Sequence, residues 1–466
     1  MPNPGIAEAN TAAPLDGVPV PRRYWAIAAI ILAICMSVLD STIANVALPS
    51  IARDFHATNA ASIWVINSYQ LAILATLLPL ASLGEIIGYR RVSQAGMVVF
   101  TLASVACAFS TSLPSLSVAR VIQGLGAAGI MSVNAALMRF TYPQHMLGRA
   151  IGINAFAVAV TAAIGPTIAS AILAVAHWRW LFAVNLPVGI VTLAIATYAL
   201  PMTERYPRRL NYVGAALLAT TVVLLVSGLQ ALAHDAATPL ALLEMSGGLV
   251  LGFALVRHEM GRATPIIPFD LLKIPLFALS VATSVCSFTA QMAALVSLPF
   301  EIQRLGHSAV ETGLFITPWP VGVGIAAPIA GWLADRYHAG VLCAIGLLTM
   351  ATGMTLLAFV PEGASAADFL WRMALCGIGF GFFQTPNNRA LLSSTPRARS
   401  GAAGGMLSTA RLLGQTLGAA GVAILFRAYA TQGSNIALFS AAGISAIAAL
   451  ISVVRARLTV PGATGA

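Results

Sequence analysis

Leu39-Asp40-Ser41-Thr42-Ile43-Ala44-Asn45-Val46-Ala47-Leu48-Pro49 lies in an apolar run that carries no other charge between Arg23 and Arg53. A run of that length reads as a bilayer-spanning helix. An acid in its interior costs roughly 2.5–3.5 kcal/mol on insertion scales, so Asp40 points to an ion or substrate pathway. The competing reading is a structural acid paired with a neighbouring helix.

The rest of the 466-residue chain needs the same solvent. It is 58% hydrophobic and 9% charged, against about 25% charged in soluble domains. Its mean hydropathy of +0.86 excludes a single water-soluble core. The five cysteines (Cys35, Cys107, Cys286, Cys343, Cys376) all fall within apolar runs and show no metal-ligand spacing. They read as small packing residues, and no metal or other cofactor is expected.

Spanning runs recur near 24–48, 61–83, 92–112, 114–138, 151–175, 180–200, 211–232, 238–256, 275–299, 310–334, 341–360, 369–388, 403–426 and 437–454. With fourteen spans both termini share a side. Eighteen of the 25 Lys and Arg then fall on that side, against Arg53, Arg179, Arg304 and Arg427 opposite; Arg120, Arg372 and Arg411 lie within spans. The positive-inside rule makes the populated side cytoplasmic. It also explains the +10 charge without nucleic acid, because the arginines are scattered over short loops. The expected location is a bacterial inner (plasma) membrane. Residues 1–23 read as a disordered cytoplasmic arm, not a cleaved signal, and 457–466 as a cytoplasmic tail.

An internal repeat divides the spans. Gly124 and Gly126 precede Asn134 as Gly377 and Gly379 precede Asn387, each first glycine ten residues before its asparagine, with Arg120 and Arg372 upstream. Gly152 and Gly165 are thirteen apart, as are Gly405 and Gly418. The loop after the second span has Glu85, Gly88, Arg90 and Arg91; the loop after the tenth has Asp335 and Arg336. The common order predicts an all-α membrane protein of two six-helix bundles, 24–202 and 271–456. Two linker spans with their flanking loops occupy 203–270.

On these residues the chain resembles the major facilitator superfamily, and within it the fourteen-span drug:proton antiporters, closest to the SmvA-like branch. Leu39 to Pro49 matches that family's first-span motif, and Arg120 with Gly124 and Gly126 its fourth-span motif. Trp178-Arg179-Trp180-Leu181-Phe182 with Asn185 resembles its sixth-span entry. Thr317-Pro318-Trp319-Pro320 and Gln384-Thr385-Pro386-Asn387-Asn388-Arg389 resemble the SmvA-like branch. There are departures. Ile86 replaces an arginine of the cytoplasmic loop motif, and Thr161, Ala169 and Ser170 stand where glycines are usual around Gly165-Pro166. The resemblance implies a proton-coupled antiporter working by alternating access.

The residues suggest how. Arg120 enters its span from the outer side and Asp40 lies in the outer half of the first, so the two are expected at similar depth. Asp40 would alternate between protonated and ionised while Arg120 stabilises the anion, with substrate and proton competing for the carboxylate; a helix-packing role for Arg120 is the alternative. Glu85 is expected to relay charge to Arg90 or to the N-terminus of the fifth span. Gly165-Pro166 reads as a bend where helices slide, and Pro318, Pro320 and Pro328 suggest a bent, cavity-lining tenth span. Trp64, Tyr69, Gln70, Asn134, Trp319, Phe383, Gln384, Asn387 and Asn388 are candidate cargo contacts, offering ring faces and neutral hydrogen-bonding groups. Because buried acids are scarce, the expected cargo is a monovalent cationic or neutral lipophile, a drug or biocide. An exporter of one endogenous metabolite or siderophore is the alternative. An ATP-driven pump is disfavoured, since no Gly-x-x-x-x-Gly-Lys-Ser/Thr string occurs. No nucleophile, paired-acid or metal constellation marks an enzyme. The working unit is expected to be a monomer in lipid, with protons and a small amphiphile as partners.

Overall fold

The computed structural model describes residues 17–57, 62, 64–203, 205–206, 209–233, 238–260, 262, 265–307, 309–361, 363–429 and 432–457. Among them are fourteen spans long and apolar enough to cross a bilayer, and no strand. The first half comprises α1 (Arg22–Asp54), α2 (Trp64–Ile87), α3 (Tyr89–Ala108), α4 (Leu113–Thr141), α5 (Leu147–Val175), and a sixth span broken into α6 (Arg179–Ala183) and α7 (Asn185–Ala199). The linker spans are α8 (Tyr212–Ala233) and α9 (Thr238–Glu259), followed by the short α10 (Phe269–Leu272). The second half comprises α11 (Pro275–Arg304), a tenth span broken into α12 (Ala309–Ile316) and α13 (Pro318–Ala334), α14 (Ala339–Ala358), α15 (Ala366–Ser393), α16 (Ser400–Ala428) and α17 (Gly433–Ala456).

Matching local chemistry builds the two halves alike. Ser112 and Ser115 form a capping box at the start of α4, and Ser365 with Asp368 does so at the start of α15. Each box satisfies amide groups that the first helical turn leaves free. The break between α12 and α13 falls where Pro318 and Pro320 have no N–H to give the helical ladder.

The repeated glycines set helix separation. A Cβ on Gly124 would lie 2.6 Å from the carbonyl oxygen of Tyr69, and one on Gly126 would lie 2.7 Å from Phe100 Cα. They let α4 press against both α2 and α3. Gly377 and Gly379 do the same for α15 against α13 and α14. The thirteen-residue spacing has an equally direct cause. Gly152 meets Ala327 and Gly405 meets Ala81, so both touch the second span of the opposite half. Gly165 meets Thr42 and Gly418 meets Thr289, so both touch the first span of their own half. Each fifth helix therefore stitches its own half to the other, through α5 on α13 and α16 on α2 and α4. The linker helices pack on each other and on α2, with a smaller contact to α16.

Both described chain ends lie on one face, called here the terminal face. Most of the proline-rich arm, residues 1–16, and the tail beyond Arg457 lie outside the described residues. The expectation of disorder does not hold from Val18 onward. Val18 is buried and its N–H donates to the Thr141 carbonyl at 2.9 Å, while Arg23 Nε donates to the Val18 carbonyl at 2.7 Å. The arm's last residues have a surface to pack on because α4 ends there.

Candidate functional site

Between the halves lies a cavity of about 420 Å³, within the usual range of small-molecule sites. Its aromatic wall comes from Tyr69, Phe288, Trp319 and Phe380, with Phe288 and Phe380 edge to face at 5.3 Å. Four glutamines, Gln70, Gln291, Gln384 and Gln415, add amide groups. A second cavity of about 80 Å³ is lined by Asn134, Asn154, Asn388 and Ser408. Gln384 and Arg411 line both.

Asp40 lies beside the larger cavity, not in it. It is 1% exposed and forms an ion pair with Arg120, itself fully buried. Gln123 Nε2 donates to Asp40 Oδ1 at 2.8 Å and Asn185 Nδ2 donates to the same oxygen at 2.9 Å. Arg120 is held from three other directions. Its Nε donates to the Val65 carbonyl at 3.0 Å, it donates to Gln123 Oε1 at 2.6 Å, and its guanidinium carbon sits 4.1 Å from the centre of the Tyr69 ring. A buried ion pair survives only when such partners offset its lost hydration. The expectation that substrate competes directly for Asp40 therefore needs correcting, since Asp40 lines neither cavity. Tyr69 is the intervening layer: it lines the cavity, covers Arg120, and donates its hydroxyl to the Ser37 carbonyl at 3.2 Å.

At the terminal face two acids tie the halves together. Glu85 is fully buried and accepts from the Ala402 N–H at 2.7 Å and from Arg399 at 3.2 Å. The predicted relay to Arg90 or to the fifth span's N-terminus does not form. The guanidinium of Arg90 instead donates to the carbonyls of Leu200 and Thr197, Arg91 is exposed, and Gly88 makes the turn into α3 at φ +100°. Glu85 thus caps the thirteenth span. Its counterpart Asp335 caps the fifth, accepting from the Gly148 N–H at 3.2 Å and from Arg389 Nε at 3.1 Å. Burial holds the Asp335 carboxyl above the usual carboxylate range despite these partners. Arg336 lies over the Trp332 ring. Arg139 adds bonds to Thr395 and Ser400 across the same seam.

The other candidates divide. Tyr69, Gln70, Trp319 and Gln384 line the larger cavity; Asn134 and Asn388 line the smaller. Trp64 is 50% exposed and lines neither cavity. Phe383 is packed inside the second half, and Asn387 bonds there to Arg455, Ser280 and Ser284. Arg455, one of the eighteen basic residues expected on the side of the termini, is fully buried in the last turn of α17. The backbone at Pro166 is helical; its side chain lies outside the described residues. Gln123, Arg411 and Gln415 were not anticipated. The one available signal was Arg411 standing inside a span.

Two bundles of six spans around a central cavity define a membrane transporter. Residues 30–419 match the Major Facilitator Superfamily, and the chain belongs to that family. It is 50% identical over 94% of its length, and 97% of the relative's, to an Escherichia coli protein described as the uncharacterized transporter YebQ. It is 32% identical to the multidrug resistance protein Stp of Mycobacterium tuberculosis, over 83% of this chain and 73% of Stp. The solved proton:xylose symporter XylE shares the fold at a TM-score of 0.65 and 17% identity, covering 92% of this chain and 94% of XylE.

Proposed function

We propose that this transporter exports lipophilic drug- or biocide-like molecules across a bacterial inner membrane in exchange for protons, by alternating access, with the terminal face cytoplasmic. The observation that carries the reading is the buried Asp40–Arg120 pair one side chain from the central cavity, with Tyr69 touching both. Relatives described as multidrug proteins support the export half. Protonating Asp40 removes its charge and frees Arg120 from its counter-ion. The Tyr69 ring resting on that guanidinium then loses its fixed partner, and the cavity wall is released. Cargo pressing on Tyr69 and Ser37 acts on the pair from the other side. Coupling is thus indirect: cargo and proton bias one shared element from two directions, as linkage requires.

The two acid caps hold the terminal face shut, and cargo release opposite precedes their parting. One charge moved across about 100 mV is worth roughly 2.3 kcal/mol, enough for a gradient of some tens-fold in a neutral solute. Among the described residues no acid lines either cavity, as the expected scarcity of buried acids requires, so a cationic cargo finds no counter-charge there and a neutral one needs none.

The test is dye efflux from vesicles with an imposed pH gradient. The parent is expected to extrude dye only while the gradient lasts, and Asp40→Asn to lose gradient-driven efflux while retaining dye binding. Undiminished pumping by Asp40→Asn would end the proton-site assignment. Sensitisation of a deletion strain to one metabolite alone, with no dye or biocide affected, would favour a dedicated exporter.

A further inference from the structure

Arg411 is the only ionised side chain on the wall of either cavity among the described residues. It stands eleven residues into α16, about 16 Å along the helix axis and so near the middle of the bilayer. Every other arginine buried within a half has company: Arg120 has Asp40, and Arg455 bonds Ser280 and Asn387. Among the described residues the Arg411 guanidinium makes no hydrogen bond and no ion pair. An arginine at that depth is costly and is retained where it faces a water-filled pathway. A cation placed there without a counter-ion repels a cationic cargo and attracts an anionic one.

We infer that the cargo of this cavity is an organic monoanion, an aromatic amphiphile whose carboxylate-type group pairs with Arg411. The inference rests on the export reading for its direction of transport, but the site itself does not. The lining supports it in detail. Gln384 and Gln415 place amide donors beside the guanidinium's cavity, while Tyr69, Trp319 and Phe288 supply faces for an apolar body. Arginine's planar fork suits two-point binding of a carboxylate better than an ammonium would. At about 6 Å and an effective dielectric near 20, a unit charge changes binding roughly a hundredfold, favourably for an anion and unfavourably for a cation.

The experiment uses the full-length protein in lipid nanodiscs and three probes of one shape: 1-naphthoate, neutral 1-naphthamide and 1-naphthylmethylammonium. Parent protein is expected to bind naphthoate at least about tenfold more tightly than the amide, with the ammonium weakest. Arg411→Gln should level the three, and Arg411→Lys should keep the order with a smaller spread. If Arg411→Gln does not fold, Gln415→Glu decides. Its carboxylate, one helical turn away on the same cavity-facing side, should pair with Arg411 and erase the anion preference, whereas Gln415→Ala should preserve it. Ammonium binding as tightly as naphthoate overturns the proposal. So does naphthoate failing to bind at millimolar concentration, or a preference unmoved by Arg411→Gln or Gln415→Glu. Flux of the same probes in proteoliposomes separates the two readings. The expected binding order with no pH-driven flux sinks the export reading and leaves the anion site, and ammonium flux without naphthoate binding does the reverse.

Discussion

Glu85→Gln should loosen the contact between the halves at the terminal face. Glutamine keeps the volume and can still accept the Ala402 N–H, but it removes the charge facing Arg399 and the first turn of α16. Arg399 remains anchored by Asp270 at 2.8 Å, so no buried cation is stranded and the loss is confined to the latch. A hydrogen bond to a charged partner is worth about 1.5–3 kcal/mol, and a carboxylate at a helix N-terminus about 0.3–2 kcal/mol. Together they bias the closed terminal face by about 2–4 kcal/mol, a shift of roughly 30- to 1,000-fold in its population. Spin labels on cysteines replacing His145 and Tyr337, both exposed and near that face in opposite halves, report the opening. The parent should give one short distance and Glu85→Gln a second, longer population. An unchanged distance distribution in folded Glu85→Gln protein would refute the idea that this cap holds the halves together.

Four further outcomes follow from the same geometry. Asp335→Ala should open the same face to a comparable or smaller degree, because Asp335 is less deeply buried than Glu85 and shares Arg389 with the Ala334 carbonyl. The latched state holds the Asp335 proton more tightly than an opened, hydrated state, since burial raises that carboxyl. The latch is therefore strongest in acid and weakens as pH rises from the usual carboxylate range through the raised value of the buried carboxyl; Asp335→Asn should flatten that dependence in the same spin-label assay. Gly126→Leu should cost at least about 1–3 kcal/mol by forcing α4 off Phe100, read as lost folded yield on size exclusion. Arg120→Leu leaves the buried Asp40 without its counter-ion and should lower the melting temperature, the loss reflecting about 3–5 kcal/mol for an unpaired buried charge.

The sequence by itself determined the solvent, the spans and the pseudo-symmetry. A spanning helix needs about twenty apolar residues with its backbone bonded internally, which leaves a signal no tertiary contact can hide. The repeated glycines were equally legible, since close helix approach needs small residues at fixed offsets. Asp40 and Arg120 could be matched by depth, because each sits a countable distance from its span's end.

Partner choice and helix rotation were decided only by the tertiary structure. Glu85 finds Arg399 across 314 positions, a pairing that depends on how the halves dock. Asn387 and Asn388 are neighbours in the chain, as are Phe383 and Gln384, and adjacent helical residues point about 100° apart. One of each pair is buried in the second half and the other reaches a cavity. In a helix apolar on every side no amphipathic stripe says which is which. Arg411 shows the same limit: its rotation toward the cavity is set by Gly405, Gly414 and Gly418 seating α16 against Ala81, Val285 and Thr289, and only that packing turns a span-buried arginine into the charge on the cavity wall.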